Sequence, residues 1–367
     1  MSAVAGGAPV ASVTVALTVG ETYEVKIGAG LLGHLGELCA RPATQAVVVC
    51  DDNVAPLYLE RVRAGLEAAD TRPTSVILPA GEQTKTTAVL GELYERLYGL
   101  GVTRHDTVVA LGGGVIGDLA GYAAATFLRG VRLVQAPTTL LAMVDAAVGG
   151  KVAVDFNEGK NYLGTFYQPR LVVEDPDALA TLPEREVRGG WAEVVKHGLL
   201  AGGETLALTE AAVVDAARPE RRLLEADVRF KAEVVARDPR ETTGARAVLN
   251  FGHTVGHAIE VAGGFARYSH GEAVALGLRA ALWLSERLAG LDPAAAVRGQ
   301  ELLSAARLPE RLTGVAADEA ARLIARDKKV AAGAARFVLL EDVGRPVTGI
   351  VVPLKLQNEV IAWLTDR

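Results

Sequence analysis

Short apolar runs alternate with mixed segments through the first half of the chain. Gln45–Cys50 and Thr107–Leu111 are almost continuously apolar, which is typical of strands buried on both faces of a parallel sheet. The segments that follow such runs, among them Tyr58–Ala69 and Thr87–Tyr98, repeat apolar residues at helical spacing. This alternation predicts a Rossmann-like α/β domain, with a parallel sheet covered by helices.

Beyond Pro176 the alternation gives way to long helical patterns, as in Glu186–Leu200 and Gly271–Leu288. Such runs predict a mainly α-helical region, with one β-hairpin near its end. We therefore expect two domains, an α/β domain over residues 1–175 and a mainly helical domain over residues 176–367.

Composition narrows the class of protein. Half of the 367 residues are apolar, which is enough for two cores, and the net charge of −6 argues against a nucleic acid or an anionic membrane as partner. Cys39 and Cys50 are too few for a disulfide scaffold. With no signal-peptide pattern and no apolar stretch of about 18 residues, we expect a cytoplasmic protein.

A glycine-rich segment, Gly112-Gly-Gly-Val-Ile-Gly117, lies between a predicted strand and a predicted helix. In this position the spacing indicates a dinucleotide site, because it lets the backbone approach a pyrophosphate at a helix amino terminus. The acidic residue expected about 20 positions later is replaced by Gln135. Asp51, at the tip of another predicted strand, is the candidate for the ribose, and a helix N-cap is an equally good interpretation of it.

Three of the six histidines fall between residues 253 and 270. In Asn250-Phe-Gly-His-Thr-Val-Gly-His257, His253 and His257 share one face of a predicted helix, and His270 follows. The group predicts either a metal site or a hydrogen-bonded buried pair. A metalloprotease is excluded, because Thr254 stands where that motif requires glutamate.

Glu193, Lys196 and His197 lie at positions i, i+3 and i+4 of a predicted helix with apolar neighbours. A surface ion pair is one interpretation. A partly buried pair is costly unless it binds something, and Glu193 with His253 and His270 would supply the three protein ligands that catalytic zinc prefers.

Isolated cations stand in glycine-rich or helical contexts at Arg129, Lys151, Lys160, Lys196, Lys231, Arg246 and Lys328. In an acidic protein this set favours a highly anionic small substrate. Together the residues predict a metal- and nicotinamide-dependent enzyme that acts on an alcohol of a phosphorylated or carboxylated molecule.

Many separate motifs from about residue 45 to residue 340 resemble, in order, those of the 3-dehydroquinate synthase family. They are Gly112-Gly-Gly-Val-Ile-Gly-Asp-Leu-Ala-Gly121, Pro137-Thr-Thr-Leu-Leu-Ala-Met-Val-Asp145, Val148-Gly-Gly-Lys151, Gly159-Lys-Asn161, Thr181-Leu-Pro-Glu-Arg-Glu186, Ala192-Glu-Val-Val-Lys196 and Leu249-Asn-Phe-Gly-His-Thr-Val-Gly-His-Ala258. The resemblance implies a dehydroquinate synthase-like fold and a homodimer.

The resemblance also implies roles for single residues. Glu193, His253 and His270 would bind a divalent metal, zinc or cobalt, and His257 would contact substrate and assist proton movement. The other implied catalytic or substrate-binding positions are Lys151, Lys196, Arg246, Asn250, Arg129, Asp145, Asn161, Lys231 and Lys328. The implied NAD contacts are Asp51, Asn53, Glu82, Lys85, Gly113, Gly114, Asp118, Thr138, Thr139, Lys160 and Thr181.

The family's substrate is 3-deoxy-D-arabino-heptulosonate 7-phosphate. The resemblance implies that NAD oxidises its C5 hydroxyl while the metal polarises that oxygen, after which phosphate leaves by β-elimination. The hydride then returns, the ring opens, and an aldol closure gives 3-dehydroquinate. The expected enzyme is a carbon–oxygen lyase of the shikimate pathway, in aromatic amino acid biosynthesis, which regenerates NAD in every turnover.

The chain departs from the family pattern at two places. Thr242 stands four residues before Arg246, where family members place a glutamate, and Glu241 precedes it, so Glu241 either takes the acid–base role of that residue or leaves it unfilled. The segment 149–161 reads as a glycine-rich loop, without the Thr-Gly that often follows the lysine. Three rival functions are another sugar phosphate cyclase of secondary metabolism, a metal-dependent polyol dehydrogenase and an inactive ligand-binding protein.

Overall fold

The computed structural model describes residues 10–39, 44–157, 159–214, 219–326 and 335–366. The chain divides into two compact units. Unit 1 comprises the described residues of Met1–Leu182 together with Lys231–Thr242, and unit 2 comprises Pro183–Phe230 and the described residues from Thr243 onward. A return of the chain to unit 1 was not part of the two-domain division expected from the sequence.

Unit 1 is built on a seven-stranded sheet. Its strands and the hairpin beside them are β1 (Ala11–Ala16), β2 (Thr22–Ile27), β3 (Gln45–Asp51), β4 (Arg72–Leu78), β5 (Thr107–Gly112), β6 (Arg132–Pro137), β7 (Lys151–Phe156), β8 (Gly159–Phe166) and β9 (Leu171–Glu174). The order in the sheet is β1-β2-β9-β6-β5-β3-β4. Apart from the antiparallel pair β1–β2, neighbouring strands run parallel, which confirms the predicted Rossmann-like sheet.

The α-helices in the described residues of the first part of unit 1 are α1 (Leu35–Leu38), α2 (Glu60–Glu67), α3 (Thr87–Gly99) and α4 (Gly114–Thr126). Every residue of β5 is buried, as is almost every residue of β3, because helices cover both faces of a parallel sheet. Leu93 and Leu97 of α3 and Leu119 of α4 share one core cluster with Val47 and Val108 of the sheet.

The prediction of a glycine-rich loop over residues 149–161 is wrong, because most of these residues form the β7–β8 hairpin. Val152, Ala153 and Val154 of β7 are buried, and a Cβ on Gly121 of α4 would lie 2.4 Å from Val152 Cγ1. Packing against α4 therefore stabilises β7 as a strand. The glycines in the sequence favoured a loop prediction because this packing cannot be seen from local sequence.

Unit 2 is mainly helical, as predicted. Its elements are α5 (Glu184–Ala201), α6 (Gly203–Val213), the first part of α7 (Arg221–Arg237), α8 (His253–Ala262), α9 (His270–Leu288), α10 (Pro293–Ala305), α11 (Ala317–Arg326), the antiparallel strands β10 (Arg336–Asp342) and β11 (Arg345–Val351), and α12 (Leu354–Asp366). The later residues of α7 belong to unit 1. Among the described residues, no helix has the length and apolar character needed to cross a membrane.

Helix α9 is the buried centre of unit 2, and it approaches two other helices through glycines. A Cβ on Gly271 would lie 2.1 Å from the carbonyl oxygen of Gly189 in α5. A Cβ on Gly277 would lie 2.0 Å from the carbonyl oxygen of Gly252, just before α8. Both contacts are with backbone, which cannot rotate away as a side chain can, so any larger residue would force the helices apart.

Replacing Gly277 by alanine should therefore lower the free energy of unfolding by about 1–3 kcal/mol, the usual cost of overpacking. Gly91→Ala is the matched control, since Gly91 lies inside α3 with nothing within 4 Å of its added Cβ. That change should be neutral or stabilise by up to about 1 kcal/mol. Denaturant unfolding measures the free energy of unfolding of both variants. Equal values for the two would contradict the close approach of Gly277 to Gly252.

Candidate functional site

The predicted NAD contacts of unit 1 follow the carboxyl ends of neighbouring parallel strands. Asp51 ends β3, Glu82 stands just beyond β4, and Thr138 follows β6. Since parallel strands end at the same edge of the sheet, residues from distant segments come together there. Thr181 ends a 3₁₀ turn after β9, where its hydroxyl lies 2.5 Å from that of Tyr58.

The turn between β5 and α4 needs glycine for steric reasons. A Cβ on Gly112 would lie 2.8 Å from Cβ of Ile116, and one on Gly113 would lie 3.0 Å from Cγ2 of Thr139. Helix α4 then begins at Gly114, directly after a strand end. The first N–H groups of a helix have no partners within it and carry a partial positive charge, so this terminus suits a phosphate.

Four predicted NAD contacts form two ion pairs beside this turn. Lys85 Nζ lies 2.5 Å from Asp118 Oδ2, and Lys160 Nζ lies 3.5 Å from Glu82 Oε1. Burial lowers the pKa of Lys85, but the charge and hydrogen bond of Asp118 and the charges of Glu82 and Asp155 together outweigh it, so the net pKa is raised. Lys85 is therefore a charged group held in a buried place.

Asp51 closes the turn before the next helical segment, whose N-cap residue is Val54. Its Oδ1 accepts hydrogen bonds from the backbone N–H groups of Asn53, at 3.0 Å, and Val54, at 2.9 Å. A ribose contact by Asp51 stays a prediction. Gln135, in the position where a ribose acid was expected, instead donates through Nε2 to the carbonyl oxygen of Gly117.

Two predicted substrate-binding lysines of unit 1 also contact carboxylates. Lys231 is 4% exposed, and its Nζ lies 2.5 Å from Asp145 Oδ1 and also contacts the carbonyl oxygen of Asp145. Lys151 Nζ lies 2.6 Å from Oε1 of Glu241, and Glu241 has a left-handed backbone with φ of 52°. The shifted glutamate thus meets a predicted substrate-binding residue.

Arg129 and Asn161, also predicted to bind substrate, have left-handed backbones with φ of 62° and 53°. Leu128 and Gly130, on either side of Arg129, have positive φ as well. A non-glycine residue in this region costs about 1–2 kcal/mol, and such strain concentrates at functional sites.

In unit 2, Glu193, His253 and His270 come together although they lie on three helices, α5, α8 and α9. Oε1 of Glu193 lies 3.5 Å from Nε2 of His253 and 3.8 Å from Nε2 of His270. One ligand atom from each residue lies within 4.8 Å of the others. The first interpretation of the histidines, a metal site, therefore fits the geometry of the described residues.

The other ring nitrogens support the same arrangement. His253 Nδ1 lies 3.2 Å from the carbonyl oxygen of Phe251, and His270 Nδ1 lies 3.3 Å from Oε2 of Glu260. Since both Nδ1 atoms face acceptors, each carries the proton and each Nε2 keeps its lone pair. Glu193 Oε1 is buried without a hydrogen-bond donor among the described residues, so the three donors suit a divalent cation.

Glu193 is 0% exposed and its second oxygen, Oε2, contacts Lys196 Nζ, which is 1% exposed. His197 Nδ1 lies 3.4 Å from Oδ1 of Asp227, and both side chains are fully buried. Burial first, and the nearby charge of Glu193 second, raise the pKa of Asp227 well above its usual value. The protonated form of Asp227 is therefore favoured relative to an exposed aspartate.

The remaining predicted residues of unit 2 have different degrees of exposure. The ring of His257 is exposed, with its centroid 5.3 Å from that of His253 and 6.3 Å from that of His270. Arg246 is buried and Asn250 half-buried, both in the 3₁₀ turn Ala245–Asn250. Lys328 lies outside the described residues.

Comparison with known proteins decides the family. The model of the 3-dehydroquinate synthase N-terminal region matches residues 75–189, and that of the C-terminal region matches residues 190–330. The 3-dehydroquinate synthase of Gloeobacter violaceus is 45% identical over 351 residues, which cover 94% of this chain and 97% of that protein. The chain belongs to the 3-dehydroquinate synthase family.

Two solved structures of other cyclases are also similar to this 3-dehydroquinate synthase family member. A 2-deoxy-scyllo-inosose synthase in complex with carbaglucose-6-phosphate, NAD+ and Co2+ has a TM-score of 0.84 and 27% identity, covering 96% of this chain and 99% of that one. The 2-epi-5-epi-valiolone synthase ValA from Streptomyces hygroscopicus subsp. jinggangensis, with NAD+ and Zn2+, has a TM-score of 0.84 and 28% identity, covering 93% and 96%.

Sequence reasoning missed two acidic residues around the metal-ligand cluster of this family member, Glu260 and Asp227. Glu260 follows His257 by three positions among apolar residues, and an acid in such a run is itself a signal of a buried partner. Asp227 gave no local signal, since its partner His197 stands 30 residues away in the sequence and meets it only through packing of α5 with α7.

Helix α9, which begins with His270, starts with a capping box whose acid is also in an ion pair. The backbone N–H of Ser269 donates to Glu272 Oε2 at 2.8 Å, and the guanidinium of Arg185 donates to both oxygens of Glu272 at 2.8 and 2.7 Å. Burial raises the pKa of Glu272, but the hydrogen bonds from Arg185 and Ser269 together outweigh it, so the pKa is lowered.

Glu272→Gln should therefore lower the free energy of unfolding at pH 7 by about 0.5–1.5 kcal/mol. The folded-state pKa lies below the unfolded one, so the contribution is complete above the unfolded pKa and is lost as pH falls through the folded pKa. Denaturant unfolding of both proteins should differ at pH 7, and the difference should disappear as pH falls through the lowered folded-state pKa of Glu272. A constant difference between them would contradict a role for the ionised form.

Proposed function

We propose that the chain converts 3-deoxy-D-arabino-heptulosonate 7-phosphate into 3-dehydroquinate and phosphate, as a phosphate-eliminating carbon–oxygen lyase that depends on NAD and a divalent metal. The observation that carries this proposal is the convergence of two Nε2 atoms on the buried Glu193 carboxylate, in a chain that belongs to this family. An inactive protein that only bound the sugar phosphate would not need three metal-ligand side chains of this kind.

The choice of substrate rests on a difference in similarity. The chain is 45% identical to a 3-dehydroquinate synthase, but 27–28% identical to the two cyclases that are named for other products. The heptulosonate carries a carboxylate as well as a phosphate, and the chain offers several cations for such a substrate. They include the buried Lys231 and Arg246 and the half-exposed Lys151.

We assign the metal to Glu193, His253 and His270, and the pyrophosphate of NAD to the turn at Gly113 and Gly114. When bound, NAD supplies reversible hydride removal at an alcohol carbon, and the metal supplies polarisation of the alcohol oxygen. The further contacts proposed for NAD are Asp51, Asn53, Glu82, Lys85, Asp118, Thr138, Thr139, Lys160 and Thr181.

The chain's own residues bind the anionic groups and manage protons. Arg246, Asn250, Lys196 and Lys231 supply donors to the substrate, and Arg129, Asp145, Asn161 and Lys328 complete the proposed set. Exposed His257, near two metal-ligand histidines but outside the cluster of ligand atoms, is suited to exchange a proton with substrate. Glu241 Oε1, at 2.6 Å from Lys151 Nζ, holds that ammonium group in place.

The homodimer stays a prediction of the family resemblance. The cytoplasmic location stays a prediction too, and it rests on the two free cysteines, Cys39 and Cys50, which suit a reducing compartment.

The purified enzyme should release phosphate from the heptulosonate in the presence of NAD+, and incubation with a chelator should abolish release until zinc or cobalt is restored. Absorbance at 340 nm should show no net NADH, because each hydride returns to the product. NADH formed in proportion to product would instead indicate a polyol dehydrogenase. Turnover of glucose 6-phosphate but not of the heptulosonate would indicate a different cyclase.

The two histidines of α8 should respond differently to replacement. His253→Ala should lower zinc affinity by more than about 100-fold, because it removes one of three protein ligands. His257→Ala should keep zinc at one equivalent but lower kcat by about 10²–10⁴-fold, as expected on loss of a proton-transfer group. Equal loss of zinc from both variants, measured by metal analysis after dialysis, would refute this division.

A further inference from the structure

Glu260 is a buried carboxylate that no predicted role accounts for. It lies on α8 with 4% exposure, between buried Ile259 and exposed Val261. A buried carboxylate is costly unless its oxygens have partners. One of those oxygens, Oε2, lies 3.3 Å from Nδ1 of His270, on the first residue of the next helix.

The two histidines of the metal-ligand cluster differ in how their Nδ1 atoms are held. His253 meets the carbonyl oxygen of Phe251, two residues before it in the chain, so local backbone orients its ring. His270 stands at the first turn of α9 with a side chain 34% exposed, and the acceptor for its Nδ1 is a side chain from another helix. Its orientation therefore depends on a residue that can be replaced.

We propose that Glu260 is the positioning residue for His270. Its carboxylate accepts the Nδ1 proton, which selects the tautomer with a lone pair on Nε2 and turns that nitrogen towards Glu193 Oε1. A carboxylate acceptor also makes the imidazole a better donor to a metal. The inference rests on the metal site of the proposed function, and it adds a residue that reaches the metal only through His270.

The packing of α8 on α9 fixes the distance over which this contact acts. A Cβ on Gly256 would lie 3.2 Å from the carbonyl oxygen of Ala273, so the two helix backbones are in close contact one turn before Glu260 and one turn after His270. With the backbones held so closely, a shorter acid at position 260 would fall short of Nδ1, and a neutral apolar residue would leave the ring of His270 without this acceptor.

The test measures zinc affinity of the metal-free full-length protein by competition with a chromophoric chelator. Glu260→Leu should weaken binding by about 10–100-fold, and Glu260→Gln, which keeps an oxygen acceptor of the same length, should weaken it less. Glu272→Gln is the matched control, because Glu272 lies on the same first turn of α9 and contacts Arg185 rather than a histidine. It should bind zinc as the wild type does.

Two spectroscopic readouts separate positioning from a merely structural role. The cobalt-loaded protein should show a shifted and weaker visible absorption band in Glu260→Leu, because ligand geometry has changed. Proton NMR of the zinc-loaded wild type should show a slowly exchanging imidazole N–H signal of His270, assigned with His270→Gln, and Glu260→Leu should lose it. Far-ultraviolet circular dichroism checks folding, and if Glu260→Leu does not fold, the isosteric Glu260→Gln carries the test.

Zinc affinity of folded Glu260→Leu within about twofold of wild type would overturn the inference and leave the proposed metal site intact. An equal fall in Glu272→Gln would assign the effect to the start of α9 and would also overturn it. If the wild type itself fails to bind one equivalent of zinc, or if Glu193→Ala binds as tightly, the metal site of the proposed function fails and the role of Glu260 fails with it.

Discussion

The metal-ligand cluster of unit 2 depends on helices that touch through bare backbone. Gly271 of α9 meets Gly189 of α5, and Gly277 of α9 meets Gly252 before α8. Each contact lies within a turn or so of a candidate ligand: Glu193 follows the first glycine of α5 by four residues, His270 directly precedes Gly271, and His253 directly follows Gly252. A side chain at any of these glycines would separate donors that must converge within a few ångströms.

Electrostatic compensation is the second common feature, and it holds in both units. Predicted cofactor or substrate cations of the described residues contact carboxylates in five pairs, which are Lys85–Asp118, Lys160–Glu82, Lys151–Glu241, Lys231–Asp145 and Lys196–Glu193. A buried ammonium group without a counter-charge would lose its proton or destabilise the fold. Lys85, Lys196 and Lys231 are buried, and their carboxylate partners supply this counter-charge.

Local spacing carried most of what the sequence could predict. The glycine turn before α4 and the histidines of α8 were found because their signals lie within a few residues, and the buried runs of β3 and β5 predicted the parallel sheet. The β7–β8 hairpin and the partners Glu260 and Asp227 were missed, because each is defined by packing against a segment remote in sequence. For Asp51 the sequence could not decide between two roles, because a carboxylate at a strand end can either cap the following helix or bind a ribose.

The contact between Lys196 and the second oxygen of Glu193 has a consequence for the metal-free protein. When a divalent ion leaves such a site, the buried carboxylate keeps a counter-charge, so the empty protein does not bear the full penalty of an isolated buried anion. Structural zinc domains, by contrast, unfold when the ion is removed. In this protein Lys196 Nζ contacts Glu193 Oε2, so the buried carboxylate alone gives the metal-free chain less reason to unfold.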